Sequence, residues 1–161
     1  MKQDKCPNIE ILKEKYEKLK SKYNLPEFSE LNQLFEIEEI DCSETEFLLR
    51  KIRRVIINRI SDYIKLIESI LNPVNAPMFF YKFIKNVNEE SKKSISEIYE
   101  IFGDLEIEVI KLDLEYNEKD EADFIKKCLS IFNDNKSRLL SVIEKLTSNK
   151  EDKKNSSSYL G

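Results

Sequence analysis

The scarcity of glycine constrains this chain more than any other feature of its sequence. Only Gly103 and Gly161 occur in 161 residues, beside four prolines. A sheet-rich fold needs many tight turns, and turns use glycine, proline and asparagine because these residues adopt backbone angles that others resist. Long helices with few connections need far fewer such residues. The composition therefore predicts an all-α fold.

Two stretches carry apolar residues at the three- and four-residue spacing of the a and d positions of a helical heptad. Lysines flank the first stretch at positions e and g, and carboxylates flank the second. Charges at these positions select the helix against which an apolar seam packs. The first stretch is too short to be stable alone, so we expect the two to pack together within the chain. The apolar residues are Ile9, Leu12, Tyr16, Leu19 and Tyr23, then Ile95, Ile98, Phe102, Leu105, Val109, Leu112 and Tyr116; the flanking residues are Lys13, Lys15, Lys20 and Lys22, then Glu106, Glu108, Asp113 and Glu115.

Start and stop signals divide the first half of the chain into three helices. A helix at about 8–24 and a short one at 27–36 precede a capping box formed by Ser43 and Glu46. In such a box each side chain satisfies an otherwise unpaired backbone N–H, which predicts the start of a helix. We expect this helix to continue to Leu71, before a proline.

Asparagines predict the starts of two further long helices. Asn88 is a suitable N-cap for a helix that ends near Tyr116, and Asn117 for one that ends near Thr147. The apolar residues of 104–116 also alternate with the period of a strand, so both structures remain open there. The helix is favoured because its seam stays in phase across Gly103.

These signals together define the predicted architecture. We expect an elongated antiparallel bundle of five to six helices, with three long central helices at about 44–71, 89–116 and 118–147. Residues 1–147 form a single domain in this interpretation. The polar segment 148–161 is expected to be a disordered tail, since its composition offers little apolar surface to bury.

The absence of histidine excludes much enzyme chemistry. No Ser–His or Cys–His nucleophile pair and no imidazole metal ligand can form. Two widely separated glycines also exclude a glycine-rich phosphate loop. We therefore predict no catalytic residue, no metal site and no cofactor, and a protein that is not an enzyme.

The cysteines and the hydropathy pattern indicate a compartment. Cys6, Cys42 and Cys128 are odd in number and far apart, which fits a reducing environment. No secretory signal opens the chain, and no apolar run approaches the roughly 20 residues needed to cross a bilayer. These features predict a cytoplasmic protein without a membrane partner.

A cluster of cations follows the capping box. Arg50, Lys51, Arg53 and Arg54 could present a basic helix face to phosphate, since arginine forks suit phosphate geometry. Acidic stretches precede and follow the cluster in the sequence. Pairing within the fold or solvation, nucleic-acid binding and an acidic protein partner therefore all remain open.

Arg59 differs from its neighbours because a helical projection places it inside an apolar arc. A buried guanidinium needs a carboxylate. Asp62 lies three residues further along and is the local choice, so we predict a structural ion pair between Arg59 and Asp62. Glu106 and Asp113 are the long-range alternatives.

The segment from Met78 to Phe83 holds four aromatic residues in six positions. They are either buried between long helices or partly exposed as an apolar patch for a partner, with Phe79 and Phe80 as the candidate contacts. The leading hypothesis is a helical protein–protein interaction or scaffolding module with an unidentified protein partner, either monomeric or homodimeric. The alternative is a nucleic-acid-associated protein that binds phosphate through residues 50–54.

Overall fold

Helices account for most of the chain in the computed structural model, which describes residues 8–41 and 46–148. Three 3₁₀ turns, Ile37–Glu39, Pro73–Asn75 and Met78–Phe80, connect the α-helices. No strand occurs in these two ranges, and the helix predicted across residues 104–116 is confirmed as far as Leu114, where it ends. The predicted disordered tail lies almost wholly outside the described residues. The α-helices are α1 (Asn8–Tyr23), α2 (Phe28–Phe35), α3 (Leu48–Leu71), α4 (Tyr81–Ile84), α5 (Glu89–Leu114) and α6 (Glu118–Ser148).

The all-α fold with three long helices is confirmed. The chain divides into two compact units, the first from Met1–Ile60 with Leu105–Ile131 and the second from Ser61–Asp104 with Phe132–Gly161. Each of α3, α5 and α6 therefore contributes a segment to both units. Within each unit these segments pack against one another, as the contacts below show.

The first unit has an aromatic centre where α1 meets α2. The buried Tyr16 ring packs edge-on against Phe28 at 5.4 Å, and its hydroxyl donates to the Pro26 carbonyl at 2.7 Å. α1 ends in a Schellman turn, in which Asn24 adopts φ 52° and the Leu25 N–H reaches the carbonyl of Lys20. The buried residues around this centre include Leu12, Leu31, Phe35, Ile52, Ile56, Leu105, Phe124 and Ile125.

Two of the charges that flank the seams pair with residues of α6. Lys22 pairs with Glu118 at 2.7 Å, at the start of α6, and the Tyr23 hydroxyl donates to the same carboxylate. On α5, Glu108 pairs with Lys127 of α6. Charge therefore does attach α1 to the bundle, but through the first turn of α6, where carboxylates also complement the helix dipole.

The second unit contains the remaining segments of the long helices. Tyr63 of α3 packs against Phe132 of α6, with ring centroids 5.5 Å apart. Arg138 of α6 donates to the hydroxyl and the carbonyl of Ser94 on α5 at 3.1 and 3.0 Å. The buried apolar residues here include Ile64, Ile67, Ile70, Ile84, Val87, Ile95, Ile98, Phe102, Leu139, Val142 and Leu146.

The predicted asparagine caps are confirmed. Asn88 accepts the Ser91 N–H at 2.8 Å, and Asn117 accepts the Lys119 and Asp120 N–H groups at 2.9 and 3.2 Å. Each oxygen satisfies backbone donors that the first turn of a helix leaves unpaired.

The predicted start of α3 is wrong by about four residues. The helix begins at Leu48 rather than near residue 44, and residues 46–47 form a turn. Phe47 has φ 58°, a left-handed conformation that a helix cannot include, and its ring packs edge-on against Tyr116 at 4.6 Å. Ser43 of the proposed capping box lies outside the described residues.

Candidate interaction surfaces

The basic cluster of α3 does not form one continuous surface. Arg53 is fully buried in the first unit, whereas Arg54 is exposed and Arg50 and Lys51 are partly exposed. Successive helix residues are rotated by about 100°, so four neighbouring side chains cannot share one face. Arg53 is therefore removed from the set of candidate partner contacts.

Arg53 joins the three long helices of the first unit instead. Its Nε donates to Glu121 at 2.6 Å, in the first turn of α6, and its Nη2 donates to Asp113 at 2.6 Å, near the end of α5. The Glu121 side chain is fully buried as well. A buried guanidinium between two carboxylates is a structural network, because a buried charge that loses its partner destabilises the fold strongly.

The network also lowers the pKa of Asp113, whose side chain is partly exposed. Its hydrogen bond to Arg53 holds the pKa of the Asp113 carboxyl below its usual range, although burial acts in the opposite direction. The network is therefore formed by an ionised carboxylate over the whole neutral pH range.

Arg50 lies beside this network and is held by four groups. It donates to Glu121 and to the Leu112 carbonyl, both at 3.3 Å. Its guanidinium also lies 4.6 Å from the centroid of the Tyr116 ring and 5.9 Å from that of Phe47. Cation–π contacts of this kind fix the orientation of a guanidinium.

An open groove remains next to the network. Its volume is about 580 Å³, and it is lined by Glu46, Phe47, Arg50, Lys51 and Arg54. Three of the four cations of the predicted basic face therefore meet at one surface. Their charge is partly offset by Glu46 and by the buried Glu121.

Arg59 forms a different ion pair from the predicted one. It is partly exposed and pairs with Glu36, in the left-handed position that ends α2. Asp62 pairs with Lys65 at 3.1 Å. The predicted pair between Arg59 and Asp62 is thus replaced because α3 turns Arg59 toward α2 at the edge of the core.

Glu121 is the residue of this region that the sequence interpretation missed. Arg53 could have been identified, because Ile57, Ile60 and Ile64 follow it at intervals of four, seven and eleven residues along one side of α3. All three are buried.

The aromatic segment after α3 is divided between core and surface. Phe80 and Phe83 are partly buried, with centroids 6.2 Å apart, and Ile84 is buried. Val74, Met78 and Phe79 are 82%, 91% and 63% exposed. Phe80, Phe83 and Ile84 therefore hold the segment in place, whereas Val74, Met78 and Phe79 lie in contact with solvent.

The surroundings of these exposed side chains carry little charge. Between Ser69 and Asn88 the only charged residues of the sequence are Lys82 and Lys85, both exposed. Pro73 opens the 3₁₀ turn that contains Val74, and Pro77 directly precedes the 3₁₀ turn that contains Met78. We call the residues Val74, Met78, Phe79 and Tyr81 the apolar tip.

Comparison with known proteins gives no relative: no family model, curated protein or solved structure matches the chain. No helix of the described ranges is long and apolar enough to cross a membrane.

Proposed function

We propose that this protein is a non-enzymatic interaction module that binds a partner protein through the apolar tip. The observation that supports the proposal is the exposure of three large apolar side chains, Val74, Met78 and Phe79, within six residues. Single exposed apolar residues are ordinary on protein surfaces, but clustered ones mark contact sites.

Burial of these exposed side chains against a partner would stabilise a complex. Each such side chain gains about 1.5–3 kcal/mol when it moves from water into an apolar contact. An exposed aromatic ring beside a methionine also fits the composition of interface centres. The partly buried Phe80 ring packs edge-on against Phe79 and also contacts Phe83, which limits the motion of the Phe79 side chain before a partner binds.

The experiment compares proteins that co-purify from cells with the wild type and with Phe79→Asp, after nuclease treatment and in high salt. Leu140→Asp is the matched control, since Leu140 is also a large, 47% exposed apolar residue. We expect the partner to be lost with Phe79→Asp and retained with the control. An identical set of bound proteins for all three chains would contradict the proposal.

A second candidate function, the binding of nucleic acid, is favoured by the groove beside Arg50, Lys51 and Arg54. With three phosphate contacts, the logarithm of the association constant should fall with the logarithm of salt concentration with a slope of about −2.7 for duplex DNA. The measurement is fluorescence anisotropy with labelled oligonucleotides for the wild type and Arg54→Glu. Lys65→Glu is the control, because Lys65 is an exposed cation elsewhere on α3. An affinity that does not change with salt concentration, or that Arg54→Glu and Lys65→Glu lower equally, would contradict nucleic-acid binding through the groove.

A cytoplasmic location belongs to the same proposal. It is supported by the odd number of widely spaced cysteines, Cys6, Cys42 and Cys128. The described one of these, Cys128, is a free and buried thiol.

A further inference from the structure

A second apolar surface lies on α5 and belongs to the first unit. Ile107, Ile110 and Leu114 are 69%, 57% and 86% exposed. Residues three and four positions apart lie above one another on a helix, so these three form one line. We call this line the α5 ridge. It is distinct from the buried seam of α5, to which Leu105 and Leu112 belong.

The ridge has the pattern of a short heptad seam. With Ile107 and Leu114 at position a, Ile110 takes position d, Glu106 position g and Lys111 position e. A seam of this kind packs against another helix with apolar residues at its a and d positions. Three aliphatic side chains on successive turns exceed the scattered exposure that an ordinary surface shows.

The flanking charges indicate which helix fits. In a parallel pair of helices, position g of one helix meets position e of the other, five residues further along. Glu106 and Lys111 are separated by five residues and carry opposite charges. Two copies of α5 therefore form two equivalent Glu106–Lys111 pairs, one on each side of the ridge.

An antiparallel pair of the same helices lacks this match, because it brings e beside e and g beside g. The ridge is thus complementary to itself about a two-fold axis parallel to α5.

We propose that the α5 ridge binds a second copy of this chain, as a parallel pair of α5 helices. The seam spans little more than one heptad, so the dimer is weak and forms in the micromolar to millimolar range. The α5 ridge shares no residue with the apolar tip, so the proposed dimer does not depend on the proposed function.

The first experiment measures mass by sedimentation equilibrium, from about 10 µM to about 1 mM. We expect the wild type to pass from the 19.1 kDa monomer to the dimer. Ile110→Lys should remain monomeric, and Leu140→Lys, a matched exposed position on α6, should dimerise like the wild type. Circular dichroism and urea unfolding confirm that each variant is folded.

The second experiment tests the parallel arrangement by charge exchange. Lys111→Glu places two carboxylates together and should raise the dissociation constant about tenfold or more, as should Glu106→Lys. The double exchange restores opposite charges and should return the constant toward that of the wild type.

Three outcomes would overturn the proposal. The first is a wild type that stays monomeric at the highest concentration, including the case in which the ridge captures only a different protein. The second is a dimer that Ile110→Lys leaves intact. The third is a double exchange that fails to recover association while both single variants remain folded.

Discussion

Arg53 connects the three long helices of the first unit. It is buried between α3, α5 and α6, and two carboxylates compensate its charge. Arg53→Ala leaves the buried Glu121 with only the longer, 3.3 Å hydrogen bond from Arg50, and we expect it to lower the free energy of unfolding by about 3–5 kcal/mol. Arg54→Ala removes an exposed guanidinium and should change stability by no more than about 0.5 kcal/mol.

Urea denaturation of the two variants beside the wild type measures this difference. The variants are matched because they delete the same side chain at adjacent positions of one helix. Equal midpoints for Arg53→Ala and Arg54→Ala would show that the buried network contributes nothing specific.

Arg53 also shows where reasoning from the sequence reached its limit. The helical projection of the sequence predicts an apolar arc of α3 that includes Arg59, but the residues that are buried centre this arc further from Arg59. The buried Ile57 and Ile64 lie at the other edge of that arc and bring Arg53 inside it. The long-range partner, Glu121, follows from the docking of three helices and has no signal in local spacing.

Cys128 gives a second test at the scale of one residue. Burial raises the pKa of its thiol to about 12, and the charge of Glu108 adds to this effect. The thiolate is the reactive species, so the folded protein should protect Cys128 from thiol–disulfide exchange with a disulfide reagent at pH 8.

The measurement uses a variant with Cys6→Ser and Cys42→Ser, so that one thiol remains. We expect slow reaction with a disulfide reagent in buffer and complete, rapid reaction in urea. Rapid reaction of the folded variant would contradict the buried position of this side chain.

At the scale of an element, α5 contains a glycine that its own surroundings do not require. Gly103 has no positive φ, and apart from its chain neighbours and the adjacent backbone of α5 no atom lies within 4 Å of a Cβ built on it. Glycine in a helix interior costs about 0.5–1 kcal/mol relative to alanine. Gly103→Ala should therefore stabilise the protein by about this amount.

The free energy of unfolding of Gly103→Ala, measured at low protein concentration, checks this expectation. Gly103→Ser is the graded control and should give a smaller gain, because serine favours helix less than alanine does. A lower midpoint for Gly103→Ala would mean that the helix is distorted at this position.

The elements themselves differ in how well the sequence predicts them. Asn88 and Asn117 cap their helices as expected, because a cap is a contact between a side chain and its own backbone. The start of α3 was placed too early, because the conformation of Phe47 depends on the distant Tyr116 ring and on Arg50. Contacts between a side chain and the backbone of its own helix can be predicted from the sequence, whereas contacts between helices cannot.

On the scale of the whole molecule, the two proposed surfaces reinforce each other. In the proposed dimer the α5 ridge binds a second copy of the chain, and each copy presents its own apolar tip. A dimer therefore offers two partner sites, and a partner with two matching segments would be held more tightly than one site allows. Ile110→Lys should then weaken the capture of such a partner without any change at Phe79.

The pH dependence of stability depends on titratable groups throughout the molecule. The sequence contains no histidine, so no side chain has an ordinary pKa between about 5 and 8. Ion pairs lower the pKa of several carboxyls: a hydrogen bond to Arg53 does so at Asp113, one to Lys22 at Glu118 and one to Lys126 at Asp123.

The sign follows from these directions. A carboxyl whose folded-state pKa is below its unfolded value stabilises the fold when it is ionised. Its contribution is complete above the unfolded pKa of about 4 and is lost as the pH falls through the folded-state value. On the alkaline side, burial raises the pKa of Tyr16 and of Cys128, so their contributions are complete below the unfolded values and are lost as the pH rises.

We therefore expect a flat urea midpoint between about pH 5 and pH 8, with losses on both sides. Asp113→Asn removes one of the titrating groups, so its midpoint should fall less steeply below about pH 4 than that of the wild type. A series of urea titrations across this range measures both effects. A pronounced change of the midpoint inside the flat range would require a titrating group with an ordinary or shifted pKa near neutrality, which the ion pairs and buried thiol described here do not provide.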